Sequence, residues 1–221
     1  PVGTQRLTLE RYRRRAEAAT RVWTRDWTEP LAASPPSSLT ALAVDAARAR
    51  VIVLDASARR LRFFDLADGA PRGERPLPPA EGFPPWNDVD LDGAGRIWVL
   101  DFVRPALLVL DGEGALLRDL PAPSGALRLA LLASGDPVVL TAGRELLLLD
   151  ADGRVRARAA LPPPLGESRP PGDLAVDGDG RLLVTDPADG AIHVFGTAAR
   201  PGRLCLPWLV GGHDVARFGG P

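Results

Sequence analysis

Four segments of the chain repeat one pattern. Each begins with an apolar stretch, passes through a turn of the D-x-x-G type into a second apolar stretch, and ends with a third apolar stretch and a Pro-rich segment. The segments start at Leu42, Asp88, Leu129 and Asp173. Equivalent positions, at Asp45, Asp92, Ala133 and Asp177, are separated by 47, 41 and 44 residues. This period is typical of the blades of a β-propeller and not of ankyrin or leucine-rich repeats.

The apolar stretches predict β-strands. The second stretch of each unit reads VIVLD, RIWVLD, PVVLT or RLLVTD, and the third reads LRFFD, LLVLD, LLLLD or AIHVF. Runs this short, closed by Asp, Gly or Pro, are not helical. They do not alternate with polar residues, so both faces of each sheet must be covered, as when a blade packs between two neighbours. We predict an all-β propeller of four-stranded antiparallel blades, with four clear repeats belonging to a five- or six-bladed ring.

The repeats divide the chain into three parts. Residues 1–40 contain LERYRRRAEAATRVW from Leu9, which predicts a short N-terminal helix, then a strand near RVWTRDW and a Pro/Ser-rich linker. The propeller repeats occupy residues 41–209, with blades at about 41–87, 88–128, 129–172 and 173–209. Residues 210–221, VGGHDVARFGGP, are typical of the lead-in to a further blade or of a tail, so we expect the gene to continue past Pro221.

Composition and charge exclude several classes of function. All 27 basic side chains are Arg, so chemistry that needs a lysine amine, such as Schiff-base catalysis or the P-loop phosphate clamp, is excluded. A formal net charge of -1 does not favour nucleic-acid binding. The apolar stretches are far shorter than the ~20 residues of a membrane-spanning helix. The single Cys205 allows neither an internal disulfide nor a cysteine-rich metal site.

The unit consensus resembles the NHL repeat. It consists of an apolar residue followed by V-D-x-x-G-R, a second strand ending in V-x-D and a third strand ending in V-F/L-D. It is also similar to the repeats of the senescence-marker-protein/gluconolactonase and yellow/royal-jelly propellers. The resemblance extends from about Leu42 to Leu209. It implies a propeller, usually of six blades, but its signature residues are turn and core positions and imply no single activity.

One segment resembles the pocket of the gluconolactonase-like enzymes. The sequence PPWNDVDLDGAGRIW is similar to their N-D-x-x-V-D-x-x-G-R segment, whose Asn lines the central pocket, and this implies a pocket position for Asn87. Asp88 follows it, and Asp173 in PPGDLAVD lies one residue after the position of the enzymes' Asp. Trp86 is a candidate aromatic platform for a ligand. We therefore predict ligand binding by Trp86, Asn87, Asp88 and Asp173.

The metal-binding set of those enzymes is incomplete in this chain. No E-G-P segment precedes the first unit, and the third unit, SGALRL, has no Asn. We therefore predict no catalytic residue, no metal and no cofactor, with calcium required only if the chain is an enzyme. Turn formation explains the D-x-D-G runs at Asp90 and Asp177 better than a calcium loop does, because the closing Glu of that loop is absent. We interpret His193 as a packed, hydrogen-bonded strand residue.

Three functions remain. The first is a non-catalytic, NHL-like propeller scaffold that binds a protein or a small ligand on one face of the ring, where a rigid scaffold presents its loops. The second is a metal-dependent lactonase or esterase of the gluconolactonase type. The third is a structural component of a phage-tail-like assembly, by analogy with tail proteins. We expect no nucleic-acid or membrane partner. The abundance of Ala, Arg, Gly and Pro indicates a G+C-rich bacterial gene, and no signal assigns a compartment.

Overall fold

The described residues form an N-terminal β-hairpin, four four-stranded β-sheets and a second two-stranded sheet near the C-terminus. The computed structural model describes residues 4–15, 18–30, 39–56, 58–78, 86–163, 170–188, 190–195, 198–200, 203–205 and 213–217. The hairpin consists of β1 (Thr4–Arg15) and β2 (Ala18–Pro30). The first blade consists of β3 (Leu39–Asp45), β4 (Arg50–Asp55), β5 (Arg60–Asp65) and β6 (Pro71–Pro76).

The remaining blades repeat this arrangement. The second blade consists of β7 (Trp86–Leu91), β8 (Ile97–Asp101), β9 (Ala106–Leu110) and β10 (Leu116–Pro121). The third consists of β11 (Ala126–Leu131), β12 (Pro137–Thr141), β13 (Glu145–Leu149) and β14 (Val155–Ala160). The last described part of the chain contains β15 (Leu174–Val176), β16 (Leu182–Asp186), β17 (Ala191–Phe195), β18 (Ala198–Arg200), β19 (Arg203–Cys205) and β20 (His213–Arg217). Strands β15, β16, β17 and β20 form the fourth blade.

Each blade is an antiparallel sheet that starts with its innermost strand. These inner strands are β3, β7, β11 and β15, and they lie beside one another in chain order around a central space. The predicted all-β propeller of four-stranded antiparallel blades is confirmed. The predicted ring of five or six blades is not confirmed, because the described residues form four blades. The predicted divisions of the chain between blades stay predictions.

The hydrophobic core lies between the blades. Every residue of β4, β8, β9 and β12 is buried, which explains why their sequences are continuous apolar runs and do not alternate. Three clusters of buried side chains fill the three spaces between successive blades. The outer strand β6 is exposed along its whole length, and it carries Pro, Arg, Gly and Glu. Burial therefore decreases from the middle strands of each blade to its outer edge.

The D-x-x-G turns use their Asp to hold the loop backbone. Asp92 Oδ1 accepts hydrogen bonds from the N–H groups of Ala94 and Arg96, both at 3.0 Å. Asp177 Oδ1 accepts the equivalent bonds, including one from the Arg181 N–H at 2.8 Å. The glycine of each turn has a left-handed backbone, with φ of 75° at Gly95 and 76° at Gly180. This geometry confirms the turn interpretation for Asp92 and Asp177, whereas Asp90 of the first run lies within β7.

The predicted N-terminal helix is wrong, because its residues pair as the β1–β2 hairpin. Arg, Glu and Ala in this segment favour a helix, but β-branched Thr and Val alternate with larger residues and fit a strand. Burial favours the strand over the helix, because Leu9 packs with Val51, Val53 and Phe64 of the first blade. The Trp23 Nε1–H also donates to the Leu66 carbonyl at 3.0 Å. The predicted strand near RVWTRDW lies within β2 and is confirmed.

The C-terminal segment differs from its prediction as well. Within residues 210–221, which the sequence suggests lead into a further blade, His213–Arg217 pairs with β17 as the outer strand of the fourth blade. This pairing satisfies the outer edge of β17, whose N–H and C=O groups would otherwise face solvent. Among the described residues, no helix is long and apolar enough to cross a membrane.

The contact between hairpin and first blade gives a testable prediction. Replacing buried Leu9 by Asp places a carboxylate in an apolar contact, and we expect the hairpin to detach while the blades stay folded. Limited trypsin digestion should then cleave the Arg-rich hairpin about tenfold faster or more. The control Val22→Asp changes a residue of the same hairpin that is 39% exposed. Equal cleavage rates in the two variants would contradict the described contact.

Candidate functional site

The inner strands surround a cavity of about 880 Å³. Charged side chains line one part of its wall, and apolar side chains from the first blade and the hairpin line another. The lining includes Leu42 of β3, Asp88 and Asp90 of β7, Arg128 of β11, and Asp173 and Ala175 at β15. The cavity is thus the place where all four blades contribute to one surface.

Asp88 and Asp90 join the inner strands of the second and third blades. Asp88 accepts a hydrogen bond from the Val89 N–H at 2.9 Å and another from the Leu129 N–H at 2.8 Å. Asp90 bonds in the same way to the N–H groups of Leu91 and Leu131, both at 2.7 Å. Inner strands are sheet edges, so these N–H groups have no ladder partner. The two carboxylates satisfy them and link β7 to β11.

Burial changes the acidity of both carboxyls. Burial raises the pKa of Asp88 to about 7, although the hydrogen bonds from Leu129 and Val89 favour its charged form. Arg128 lowers this pKa slightly and the nearby Asp173 carboxylate raises it. The pKa of Asp90 is also raised by burial, against the hydrogen bonds from Leu131 and Leu91. Asp88 therefore changes its charge near neutral pH while its oxygens remain bonded to the backbone.

Arg128 and Asp173 form an ion pair between the third and fourth blades. Arg128 Nε lies 3.3 Å from Asp173 Oδ1, and the side chains are 32% and 70% exposed. Asp173 Oδ1 also accepts a hydrogen bond from the Leu174 N–H at 3.0 Å. The backbone N–H of Asp173 donates to Thr185 Oγ1 at 2.7 Å, which fixes the position of this residue at the start of β15. Unlike Asp88, this pair is open to a molecule in the cavity.

The structure brings two of the four predicted ligand-binding residues together. Asp88 and Asp173 both line the cavity. Trp86 and Asn87 begin β7, but their side chains lie outside the described residues, so their role stays a prediction. Sequence reasoning missed Arg128 as a cavity residue. The repeat alignment used above places Leu129 at the Asp88 position. The sheet register instead makes Arg128 the equivalent of Asp88, because Arg128 pairs with Leu140 as Asp88 pairs with Leu100.

A second set of carboxylates has a structural role. Asp55, Asp101 and Asp186 end the second strand of their blades and are at most 1% exposed. Each accepts hydrogen bonds from the turn that follows and from an Arg side chain. His193 is 2% exposed and its Nε2 lies 3.2 Å from Asp186 Oδ2. This confirms the interpretation of His193 as a packed, hydrogen-bonded strand residue.

The charged side chains that line the cavity affect whether a metal ion can bind there. Within the part of the chain that the structure describes, no group of three or more His, Cys, Asp or Glu side chains is placed to hold a metal ion. At Asp173, the one cavity carboxylate with a largely exposed side chain, the guanidinium of Arg128 already supplies a positive charge. A divalent cation at this carboxylate would have to overcome repulsion from Arg128.

Comparison with known proteins shows the fold. No family model matches the chain, and no curated protein matches it. A streptogramin B lyase structure aligns with a TM-score of 0.61 and 15% identity, covering 96% of this chain and 59% of that one. The virginiamycin B lyase of Staphylococcus aureus aligns with a TM-score of 0.59 and 13% identity, covering 99% and 61%. The WD40 β-propeller domain of Doa1 aligns with a TM-score of 0.53 and 14% identity, covering 77% and 52%.

These alignments assign the architecture and not an activity. The chain spans about three fifths of the length of the two lyase structures that it matches. Identities of 13–15% show a shared fold alone. The NHL and gluconolactonase labels therefore continue to rest on the sequence resemblance. What the comparisons add is that a β-propeller is the fold of this chain.

Proposed function

We propose that the chain is a non-catalytic β-propeller that binds a protein segment or a small ligand in its central cavity. The observation that carries this proposal is the exposed Arg128–Asp173 pair in a cavity that also presents apolar side chains. Leu42, which lines the same cavity, is 56% exposed. Concave sites that combine apolar surface with a few placed polar groups are the usual form of ligand pockets. The expected ligand is therefore amphipathic, with a polar group for the ion pair.

The bonding of the buried carboxylates supports binding over catalysis. A general acid or base must reach the proton that it transfers. Asp88 has a pKa close to neutrality, which suits such a role, but it is 9% exposed and each of its oxygens accepts a backbone N–H. Asp90 is bonded in the same way. These carboxylates hold the strands together, and the ion pair is left to contact a ligand.

The two other functions remain as alternatives with less support. A calcium-dependent lactonase would use Asp173 near the cation, where Arg128 opposes a second positive charge. Asn87, which the resemblance implies in that site, has no described side chain. A role in a phage-tail-like assembly stays a prediction from analogy. The lyase activity named in two similar structures belongs to those proteins.

A thermal-shift screen tests the proposal. A library of amino acids, amines, carboxylates and sugars is added to the purified chain, with and without calcium. A ligand of the native state should raise the unfolding midpoint by about 5 °C or more when present at ~100 times its Kd. The shift should disappear in Arg128→Ala and persist in Arg154→Ala, a control whose side chain is 74% exposed in the turn before β14.

Two outcomes would overturn the proposal. If a compound raises the unfolding midpoint equally in Arg128→Ala and in wild type, it binds outside the cavity. Hydrolysis of lactones that depends on calcium, and that is lost in Asp173→Ala, would make the chain an enzyme. The thermal-shift screen and the hydrolysis assay use the same purified chain.

A further inference from the structure

A second cleft lies between the first and second blades. Its volume is about 270 Å³, and it is lined mainly by charged side chains. These are Arg48, Arg50, Arg72, Glu74, Arg75 and Glu113, and the site is called the arginine cleft below. It shares no lining residue with the central cavity. Its wall therefore comes from two blades that already pack against each other.

Arg50 is the buried centre of the arginine cleft. Its side chain is 7% exposed, its Nε lies 3.0 Å from Asp45 Oδ2, and its Nη2 donates to the Gly112 carbonyl. Its guanidinium also lies over the Phe63 ring, 4.9 Å from the ring centre. These contacts fix the guanidinium between β4 of the first blade and the β9–β10 turn of the second.

The remaining terminal nitrogen of Arg50 lacks a close acceptor. No residue that the structure describes accepts a hydrogen bond from Arg50 Nη1, and Glu113 Oε1 lies 3.9 Å from it. The Glu113 side chain is 75% exposed, so its carboxylate can turn into solvent. Buried charged groups are normally hydrogen-bonded to a partner. Arg50 Nη1 is therefore a donor that a ligand of the cleft can use.

Arg48 lies beside Arg50 and shares its counter-charge. Arg48 Nη1 is 3.2 Å from Asp45 Oδ2, the same oxygen that contacts Arg50 Nε. A Cβ at Gly112 would lie only 2.8 Å from Arg48 Nη2, so the lack of a side chain there leaves room for the guanidinium. One carboxylate thus serves two guanidinium groups, and this end of the cleft keeps a net positive charge.

Two arginines of β6 are positioned by backbone carbonyls. Arg72 Nη1 donates to the Arg48 carbonyl at 2.8 Å. Arg75 Nε donates to the Glu113 carbonyl at 3.1 Å, which ties β6 to the β9–β10 turn. A carbonyl oxygen satisfies a donor without cancelling a full charge. The positive charges at the cleft are therefore held in place and only partly neutralised.

The balance of charge and the size of the cleft favour one kind of ligand. Four Arg and two Glu line it, and Glu74 also pairs with Arg60 outside the lining, at 3.0 Å. Guanidinium groups match the geometry of phosphate oxygens, to which they donate paired hydrogen bonds. A volume of about 270 Å³ is about nine times the ~30 Å³ share of a water molecule. This space suits a single phosphate group better than a polyanion, which the two Glu would also repel.

We propose that the arginine cleft binds a phosphate group, either as inorganic phosphate or as the phosphate of a small monoester. The phosphate oxygens accept hydrogen bonds from Arg50 and Arg48, and the exposed Glu113 carboxylate turns away to admit them. The bound group links the first blade to the β9–β10 turn of the second. This site goes beyond the proposed function, because it is separate from the central cavity.

Calorimetric titration with inorganic phosphate tests the site. The full chain is titrated in a chloride buffer at about pH 8 and constant ionic strength, so that general screening does not change during the titration. Saturable binding should appear with a Kd of about 1 mM or below, as for two or three charge-assisted hydrogen bonds. Arg48→Ala should weaken binding by about tenfold. Arg118→Ala, whose side chain is 43% exposed against 41% for Arg48 and lies outside the cleft, should not.

A variant that gains affinity excludes misfolding as the cause of any loss. Glu113→Gln removes the carboxylate nearest to Arg50 Nη1, and it should tighten phosphate binding by about threefold or more. Asp152→Asn changes the net charge by the same amount at an exposed carboxylate outside the cleft. Its affinity for phosphate should equal that of wild type.

A second titration identifies the source of the phosphate group. O-phosphoserine and inorganic phosphate are compared, with serine as the control that lacks the group. Tighter binding of O-phosphoserine assigns the cleft to a monoester, and tighter binding of inorganic phosphate assigns it to the free ion. In both cases Arg48→Ala should weaken the preferred ligand, and serine should not bind.

Two results would overturn the inference. One is the absence of saturable phosphate binding up to about 10 mM. The other is a Kd that stays the same in Arg48→Ala and in Glu113→Gln. In either case the arginines serve only to hold the first blade against the second. Ligand binding in the central cavity depends on Arg128 and is tested separately, so it can stand or fall without this result.

Discussion

Asp55→Ala should destabilise the chain by about 3–5 kcal/mol, a large effect for one side chain. Asp55 is 0% exposed, and it accepts hydrogen bonds from the Ala58 N–H at 3.0 Å and from Arg62 NH2 at 2.8 Å. The Arg62 side chain is only 13% exposed. Removing the carboxylate takes a hydrogen-bonded counter-charge from the guanidinium of Arg62 and the acceptor from a turn N–H. Both losses act on the folded state only.

Urea unfolding of matched variants measures this effect. Asp152→Ala is the control, because it makes the same chemical change at a carboxylate that is 55% exposed and pairs with Arg118. Exposed ion pairs contribute about 0–1 kcal/mol, so this control should stay close to wild type. If Asp55→Ala and Asp152→Ala have the same unfolding free energy, the buried Asp55 network does not stabilise the first blade.

Asp88→Asn should remove a pH-dependent part of the stability. The pKa of Asp88 is about 7 in the folded chain, above its usual value, so its folded form binds a proton more tightly than the unfolded chain does. Its contribution to stability is therefore fully present below about pH 4 and is lost as the pH rises through about 7. At ~1.4 kcal/mol per pKa unit, wild type should lose a few kcal/mol relative to Asp88→Asn over that range.

The free energy of unfolding of wild type and of Asp88→Asn is measured at about pH 5 and about pH 8, and the difference between the two proteins is compared. The other aspartates titrate in both proteins, so their contributions to this difference cancel. Asp45 and Asp186 have lowered pKa values, because hydrogen bonds and the charges of neighbouring Arg residues outweigh burial, and their stabilisation is lost only as the pH falls through those values. A carboxyl titration of Asp88 by NMR gives the pKa directly. A midpoint near 4 would show that the backbone hydrogen bonds outweigh burial at this residue.

The sequence is sufficient for the blade architecture because its signals are local and repeated. The runs VIVLD and RIWVLD become β4 and β8, and each repeat supplies the strands of one antiparallel sheet. Asp92 and Asp177 are recognisable because their Oδ1 atoms bond to turn N–H groups within four positions. Such features depend on neighbours in the chain and can be derived without coordinates.

Features that depend on distant contacts could not be derived. The segment from Leu9 has the composition of a helix, and only its packing on Val51 and Val53 makes it a strand. Arg128 becomes a site residue through Asp173, which lies on another blade. Likewise, Asp88 was singled out by resemblance, but its bond to the Leu129 N–H depends on how two blades are placed. Local patterns predict strands, and blade packing decides which side chains meet.

Methyl NMR of the chain labelled at alanine tests most directly the claim that the cavity is the binding site. Ala41, Ala133 and Ala175 line the cavity, whereas Ala115 and Ala151 lie in turns outside it. The compound with the largest thermal shift is titrated into the sample. We expect saturable changes in the methyl signals of the three cavity alanines and none at the two turn alanines. Changes confined to Ala115 and Ala151 would contradict a ligand site at the centre of the propeller.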